Sequence, residues 1–117
     1  MSAVAVKTST DMVKLILKKQ YVLEGSEEPS AEDQATTLET FLSRLDLLRE
    51  DELVWWDDDE TPLMAADPLA EYMAFYCPVL PADERMAYAQ TSAKGEMDLR
   101  GMAAKKSQGA PIEAEYF

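Results

Sequence analysis

Histidine is absent from this 117-residue chain, cysteine occurs once, basic residues are half as common as acidic ones, and no apolar run is long. Each shortage removes a class of function. Without histidine there is no Ser-His-Asp or Cys-His arrangement and no histidine-bearing metal site. The single thiol, Cys77, forms no disulfide within the chain and suits a reducing compartment. It has no His, Lys or Arg beside it in sequence, so nothing local activates it as a nucleophile. The apolar stretches Leu15–Leu17 and Tyr21–Leu23 fall far short of the roughly 20 residues that cross a bilayer, so no membrane is expected. The opening MSAVAVKTSTDM lacks the basic start and apolar core of a secretion signal, so secretion is not expected.

What the chain has is acid. Eleven Lys and Arg stand against 23 Asp and Glu, for a net charge of −12. The charge is unevenly placed: residues 1–21 carry +3, residues 22–84 carry −16 and residues 85–117 carry +1. Such a body repels phosphates, so DNA wrapping is not expected. Three uses remain: solubility, mimicry of DNA, or a passage to which DNA must not stick.

With 47% hydrophobic residues the composition is globular, and the length fits one domain with a modest core. Ser9 or Thr10 can cap a first helix running to about Tyr21. Its apolar residues fall on two stripes: Met12, Leu15 and Ile16 with Lys19, then Val13 and Leu17 with Gln20. That predicts burial on more than one side. Ser30, followed by Glu32 and Asp33, starts a second helix over 31 to about 49. Its stripe of Ala31, Ala35, Leu38, Phe41, Leu42, Leu45 and Leu48 should pack on the hairpin formed by the next two helices. Residues 50–66 read as a loop with a short strand or helical turn at 52–56. Asp67-Pro68 reads as a cap and first-position proline, giving a third helix over about 68–77 that stops before Pro78. A fourth should run from near Pro81 to about Ala104 with Met86, Ala89, Ala93, Met97 and Arg100 along one face. The fold class is therefore all-α: a small four-helix bundle with long loops over 1–107, and an extended C-terminal arm over 108–117.

Sites for chemistry are scarce. Asp57, Asp58, Asp59 and Glu60 form an acidic run, but calcium loops alternate their ligands and need a sharply turning glycine, and neither is present. A solvated turn, or a patch for a basic partner, fits better. Trp55 and Trp56 can anchor an interface, although adjacent rings more often divide, one into the core and one partly exposed. Met64, Met73, Met86, Met97 and Met102 at helical spacing read as core before they read as a binding groove. With 23 acids, chance carboxylate pairs abound and none is marked as acid or base, so catalysis, metal and cofactor are not expected. The end of the chain is more telling. Ile112, Ala114 and Tyr116 alternate with Glu113 and Glu115 before Phe117, a period of two that suits an arm laid on another molecule.

The order of parts adds a likeness. "KTSTDMVKLILKKQYVL", then "PSAEDQATTLETFLSRLDLL", then an acidic Trp-bearing loop, then "PLAEYMAFYCPVLPADERMAYAQTSAKGEMDLRGM" resembles the head-to-tail adaptor family of short-tailed bacteriophages. These proteins are also called tail accessory factors or packaged-DNA stabilisation proteins. The likeness covers roughly residues 7–104, with Leu69, Ala70, Tyr72 and the Tyr76-Cys77-Pro78 helix end in matching places. Cys77 stands where the family has Ala, and the C-terminal extension is shorter than in some relatives. The resemblance implies a virion protein at the head–tail junction, made in the host cytoplasm and assembled as twelve copies under the portal. There it would extend the DNA channel without binding DNA specifically, help retain the genome, and receive a downstream tail or nozzle protein. On that reading Gln108, Ala110, Pro111, Ile112, Tyr116 and Phe117 bind the portal or a neighbouring subunit. Trp55, Trp56, Asp57, Asp58 and Asp59 would meet a neighbour or the next ring. The alternative from another class is an acidic DNA mimic that inhibits a host nuclease or restriction enzyme.

Overall fold

The computed structural model describes residues 5–25 and 27–107. The arm expected at 108–117, with Gln108, Ala110, Pro111, Ile112, Tyr116 and Phe117, lies outside the described residues. The described chain is mostly helical. It runs β1 (Val6–Lys7), α1 (Ser9–Lys19), α2 (Ala31–Glu50), β2 (Thr61–Pro62), α3 (Leu63–Ala74), α4 (Ala82–Arg85), a 3-10 turn (Met86–Tyr88) and α5 (Ala89–Ser107). Residues 53–55 are irregular; the extended pairing occurs later, where β2 meets β1 antiparallel with Val6 opposite Pro62 and Lys7 opposite Thr61.

Helix α1 is capped by Thr8, one residue before the expected position. The Thr8 side chain accepts from the Asp11 amide and the Asp11 carboxylate accepts from the Thr8 amide, each at 3.2 Å, a reciprocal box that selects Thr8. Burial on two sides holds as expected. Met12 and Ile16 enter the main core, while Val13 and Leu17 meet Leu23 in a smaller cluster.

Both α1 and α2 stop in the same way. Tyr21 and Glu52 take left-handed backbone angles, φ 60° and 63°. The residue after each donates back five positions, Val22 to the Leu17 carbonyl at 2.9 Å and Leu53 to that of Leu48 at 2.8 Å. This is the Schellman closure that glycine usually supplies, made here by tyrosine and glutamate. It ends α1 two residues short of Tyr21.

In α2, Phe41, Leu45 and Leu48 are buried with Thr37, Leu38 and Leu42 are half-buried, and Ala31 and Ala35 stay in solvent. The helix packs chiefly on α1; its hydrogen bonds to the hairpin fall at the C-terminal end of α3, from Arg44 to Tyr72 and between Thr37 and Cys77. There the Thr37 hydroxyl meets Cys77 Sγ at 3.3 Å.

Helix α3 starts at Leu63, five residues before the expected first position, so Asp67 and Pro68 lie inside it. Burial of Ala65 and Ala66 in the core outweighs the proline signal, and Asp67 pairs with Lys19 at 3.3 Å instead of capping. The helix ends at Ala74. Its last carbonyls find side-chain donors from elsewhere in the chain: Ser92 on Tyr72 at 2.8 Å, Gln20 on Ala74 at 2.8 Å and on Cys77 at 3.0 Å, Arg85 on Phe75 and Tyr76 at 3.3 Å. Three distant residues thereby satisfy an end that would otherwise leave polar groups buried and unpaired.

The expected fourth helix is real as a helical run but faces the other way. Its buried residues are Ser92, Gly95, Leu99 and Ala103, whereas of the expected face Met86, Ala93, Met97 and Arg100 face solvent and Ala89 is half-buried. Gly95 explains the choice. A Cβ there would press on the carbonyl oxygen of Pro68 and lie 3.0 Å from the Tyr72 amide nitrogen, so α5 meets α3 backbone to backbone at this point. Of the five methionines expected in the core, Met73 is buried and Met102 half-buried; Met64, Met86 and Met97 are exposed. Among the described residues no helix is long and apolar enough to cross a membrane.

Candidate functional site

The loop over 51–60 is built on the end of α2. Once Glu52 has turned the chain, Leu53 and Val54 drop into the core, and alternation sends Trp55 outward and Trp56 inward. Trp55 is 41% exposed and Trp56 6%, with the rings edge to face at 4.9 Å. The division of the two rings is the one expected from their adjacency.

Arg49 holds the loop. Its Nη2 donates to the Trp56 carbonyl at 2.9 Å and to Asp58 Oδ1 at 2.7 Å, while Nη1 reaches Asp46 at 3.1 Å. Asp59 Oδ1 accepts from the Ser9 amide at 2.8 Å, which ties the loop to the start of α1. Hydrogen bonds from the Ser9 side chain and amide hold the Asp59 carboxyl below the ordinary aspartate value. All four acids in the run are exposed, and two of them, Asp58 and Asp59, act as struts. The shallow depression among Arg49, Asp57, Asp58, Asp59 and Glu60 is open to solvent. Among the described residues no three acids or thiols converge on a cation-sized point.

Beside this loop lies an apolar groove of about 120 Å³, lined by Trp55, Met64, Met102 and Lys105. Three segments far apart in sequence supply it: the loop, the first turn of α3 and the last turns of α5. The Lys106 ammonium lies 5.4 Å from the Trp55 ring centroid, within cation–π range. Among the described residues Lys105 and Lys106 form no ion pair, in contrast to Lys14 on Glu28 at 3.0 Å and Lys19 on Asp67 and Glu71. Near α1, Lys14 and Lys19 are paired within the molecule, while Lys7 and Lys18 form no ion pair among the described residues. The basic charge at the end of α5 faces outward.

The sequence reading placed Trp55, Trp56 and Asp57–Asp59 on a contact surface. Trp56 is instead buried, because its ring turns into the core. The reading preferred core over groove for Met64 and Met102 and did not single out Lys105 or Arg49. The methionines had been assigned to the core, and nothing at positions 64 and 102 separates a groove methionine from a core one. Arg44 was missed too. Its guanidinium carbon sits 3.6 Å from the Tyr76 ring centroid and 5.5 Å from that of Tyr72, and its Nη2 donates to the Tyr72 hydroxyl at 2.8 Å. Burial holds the Tyr72 phenol above the ordinary tyrosine value, against the pull of Arg44. This stack joins α2 to α3 and is structural. Cys77 is fully buried beneath it.

No protein-family model matches the chain, and comparison with curated proteins and with solved structures returns no match.

Proposed function

We propose that the chain is a structural connector of the phage head-to-tail adaptor kind, a helical block that assembles in multiple copies on a portal ring. The observation that carries this reading is the groove at Trp55, Met64 and Met102, an apolar contact surface with a basic edge, at the point where α5 hands the chain to residues 108–117. The resemblance in element order over residues 7–104 supplies the context. On this reading the four longer helical segments form the bundle that holds loop 51–60 rigid through Arg49 and Asp59. The segment 108–117 grips the portal or a neighbour, and twelve copies continue the channel towards a downstream tail or nozzle protein. Exposed acids at Asp57 and Glu60 suit a surface that DNA must pass without adhering.

A direct test is to co-express the chain with the portal protein of the same genome and view the product by negative-stain electron microscopy. An extra ring beneath the portal supports the connector; a bare portal with the chain left in the soluble fraction rejects it.

One observation favours the DNA-mimic reading. Eight acids between Asp46 and Glu60 are all exposed, against one base, Arg49. Inhibition of a basic nuclease at near-stoichiometric amounts, reversed by salt, would replace the connector with this alternative.

A further inference from the structure

We infer that the groove lined by Trp55, Met64, Met102 and Lys105 is the seat for residues 110–117 of a second copy of this chain. The assignment rests on the reading of the chain as an assembling block and names the partner of that surface. Apolar chemistry matches on both sides: Ile112, Ala114 and Tyr116 recur on one side of an extended segment, and a strand of that pattern presents its apolar face to a groove while its acids stay at the rim. Charge also matches. Glu113 and Glu115 are acidic, and Lys105 and Lys106, which form no ion pair among the described residues, put positive charge beside this groove.

Length argues for exchange between copies. Met102 and Lys105 stand only about 7 and 3 Å back along the axis from Ser107, at 1.5 Å per helical residue. Proline restricts its own backbone and disfavours the helical region for the residue before it, so any return on the same copy would have to reverse before Ala110. A return on the same copy would then set about Pro111 and Ile112 beside the groove and carry Tyr116 roughly 15 Å beyond it, at about 3.3 Å per extended residue. Delivered from a neighbour, the segment has no such constraint and can place Tyr116 against Trp55. The contact joins two different patches, so each copy gives one and receives one. Repetition of such a contact closes a ring when the rotation allows.

The test uses the full chain with Tyr116→p-benzoylphenylalanine, mixed in equal amounts with uniformly 15N-labelled chain of the same sequence and illuminated at about 100 μM, a concentration suited to a weak contact. Benzophenone favours methionine, and Met64, Met86 and Met97 are similarly exposed at 66%, 63% and 71%, so the other two serve as internal controls. The expected product joins position 116 to Met64 or Met102 of the oppositely labelled copy, with Met86 and Met97 little touched. Trp55→Glu should lower that yield about tenfold or more, since a central aromatic anchor is replaced by a like charge. Its circular dichroism should stay native. Cross-links within one chain only, cross-links shared among Met64, Met86 and Met97, or none would each overturn the inference. Portal is absent from the experiment, so portal binding can succeed or fail independently of this result.

Discussion

The same two helices, α3 and α5, meet in opposite styles at two points along their antiparallel seam. Where Gly95 faces Pro68 the backbones touch and no side chain fits between them. Where Met64 faces Met102 the helices leave a groove, closed on one side by Trp55. The first contact is made by Gly95 with Ser92 one turn away, the second by an exposed Met64 and a half-buried Met102. Close packing here comes from small size, and Met64, Met86 and Met97 are left exposed. A face that looks like core by composition can therefore be the outer face.

Breaking the tight contact should have the largest effect. Gly95→Ala is expected to lower stability by about 2 kcal/mol, because overpacking against backbone exceeds the ~1 kcal/mol of helix propensity regained. The midpoint of urea unfolding measures it. Ser92→Ala, one turn away, removes the hydroxyl that serves the Tyr72 carbonyl in a buried site and should cost about 1 kcal/mol by the same measurement. Gly101 sharpens the comparison from the other direction. It lies in the same helix with nothing within 4 Å of an added Cβ, so Gly101→Ala should stabilise by about 0.5–1 kcal/mol. Opposite signs for two identical substitutions would locate the seam; equal signs would refute it.

At the groove the stability effect should be smaller still. Met64→Ser removes an exposed side chain and should stay within about 0.5 kcal/mol of the parent, while reducing self-association in sedimentation. The smallest effect concerns pH. Asp59 is held below its ordinary value by Ser9, so its folded-state pKa is depressed relative to the unfolded chain. Its stabilising contribution is present at neutral pH and is lost as pH falls through the folded value, below about pH 4. Asp59→Asn should accordingly flatten part of the acid limb of the stability profile and leave the neutral region nearly unchanged.

The sequence made some of this legible and hid the rest for physical reasons. The start of α2 at Ser30, the two buried stripes of α1 and the split of the Trp pair follow from local chemistry and periodicity, and they hold. Helix ends were harder, because Tyr21 and Glu52 do the work that glycine normally signals. The start of α3 was hidden by Asp67-Pro68, a strong local signal overridden by burial of Ala65 and Ala66. The facing of α5 was reversed, since periodicity follows apolar residues and this helix packs through Ser92 and Gly95. The groove was legible only in part: Met64 and Met102 stood among methionines weighed as a groove and Trp55 as an anchor, but their meeting with Lys105 exists only in three dimensions.

The central claim is that the chain works by adhesion, as one part of a multi-copy connector on a portal ring. Native mass spectrometry of the purified portal incubated with excess chain tests it most directly. A complex heavier than the portal alone by about twelve chains of 13.1 kDa, the number the adaptor resemblance implies, is the predicted result. Portal and free chain flying separately at every mixing ratio would contradict it.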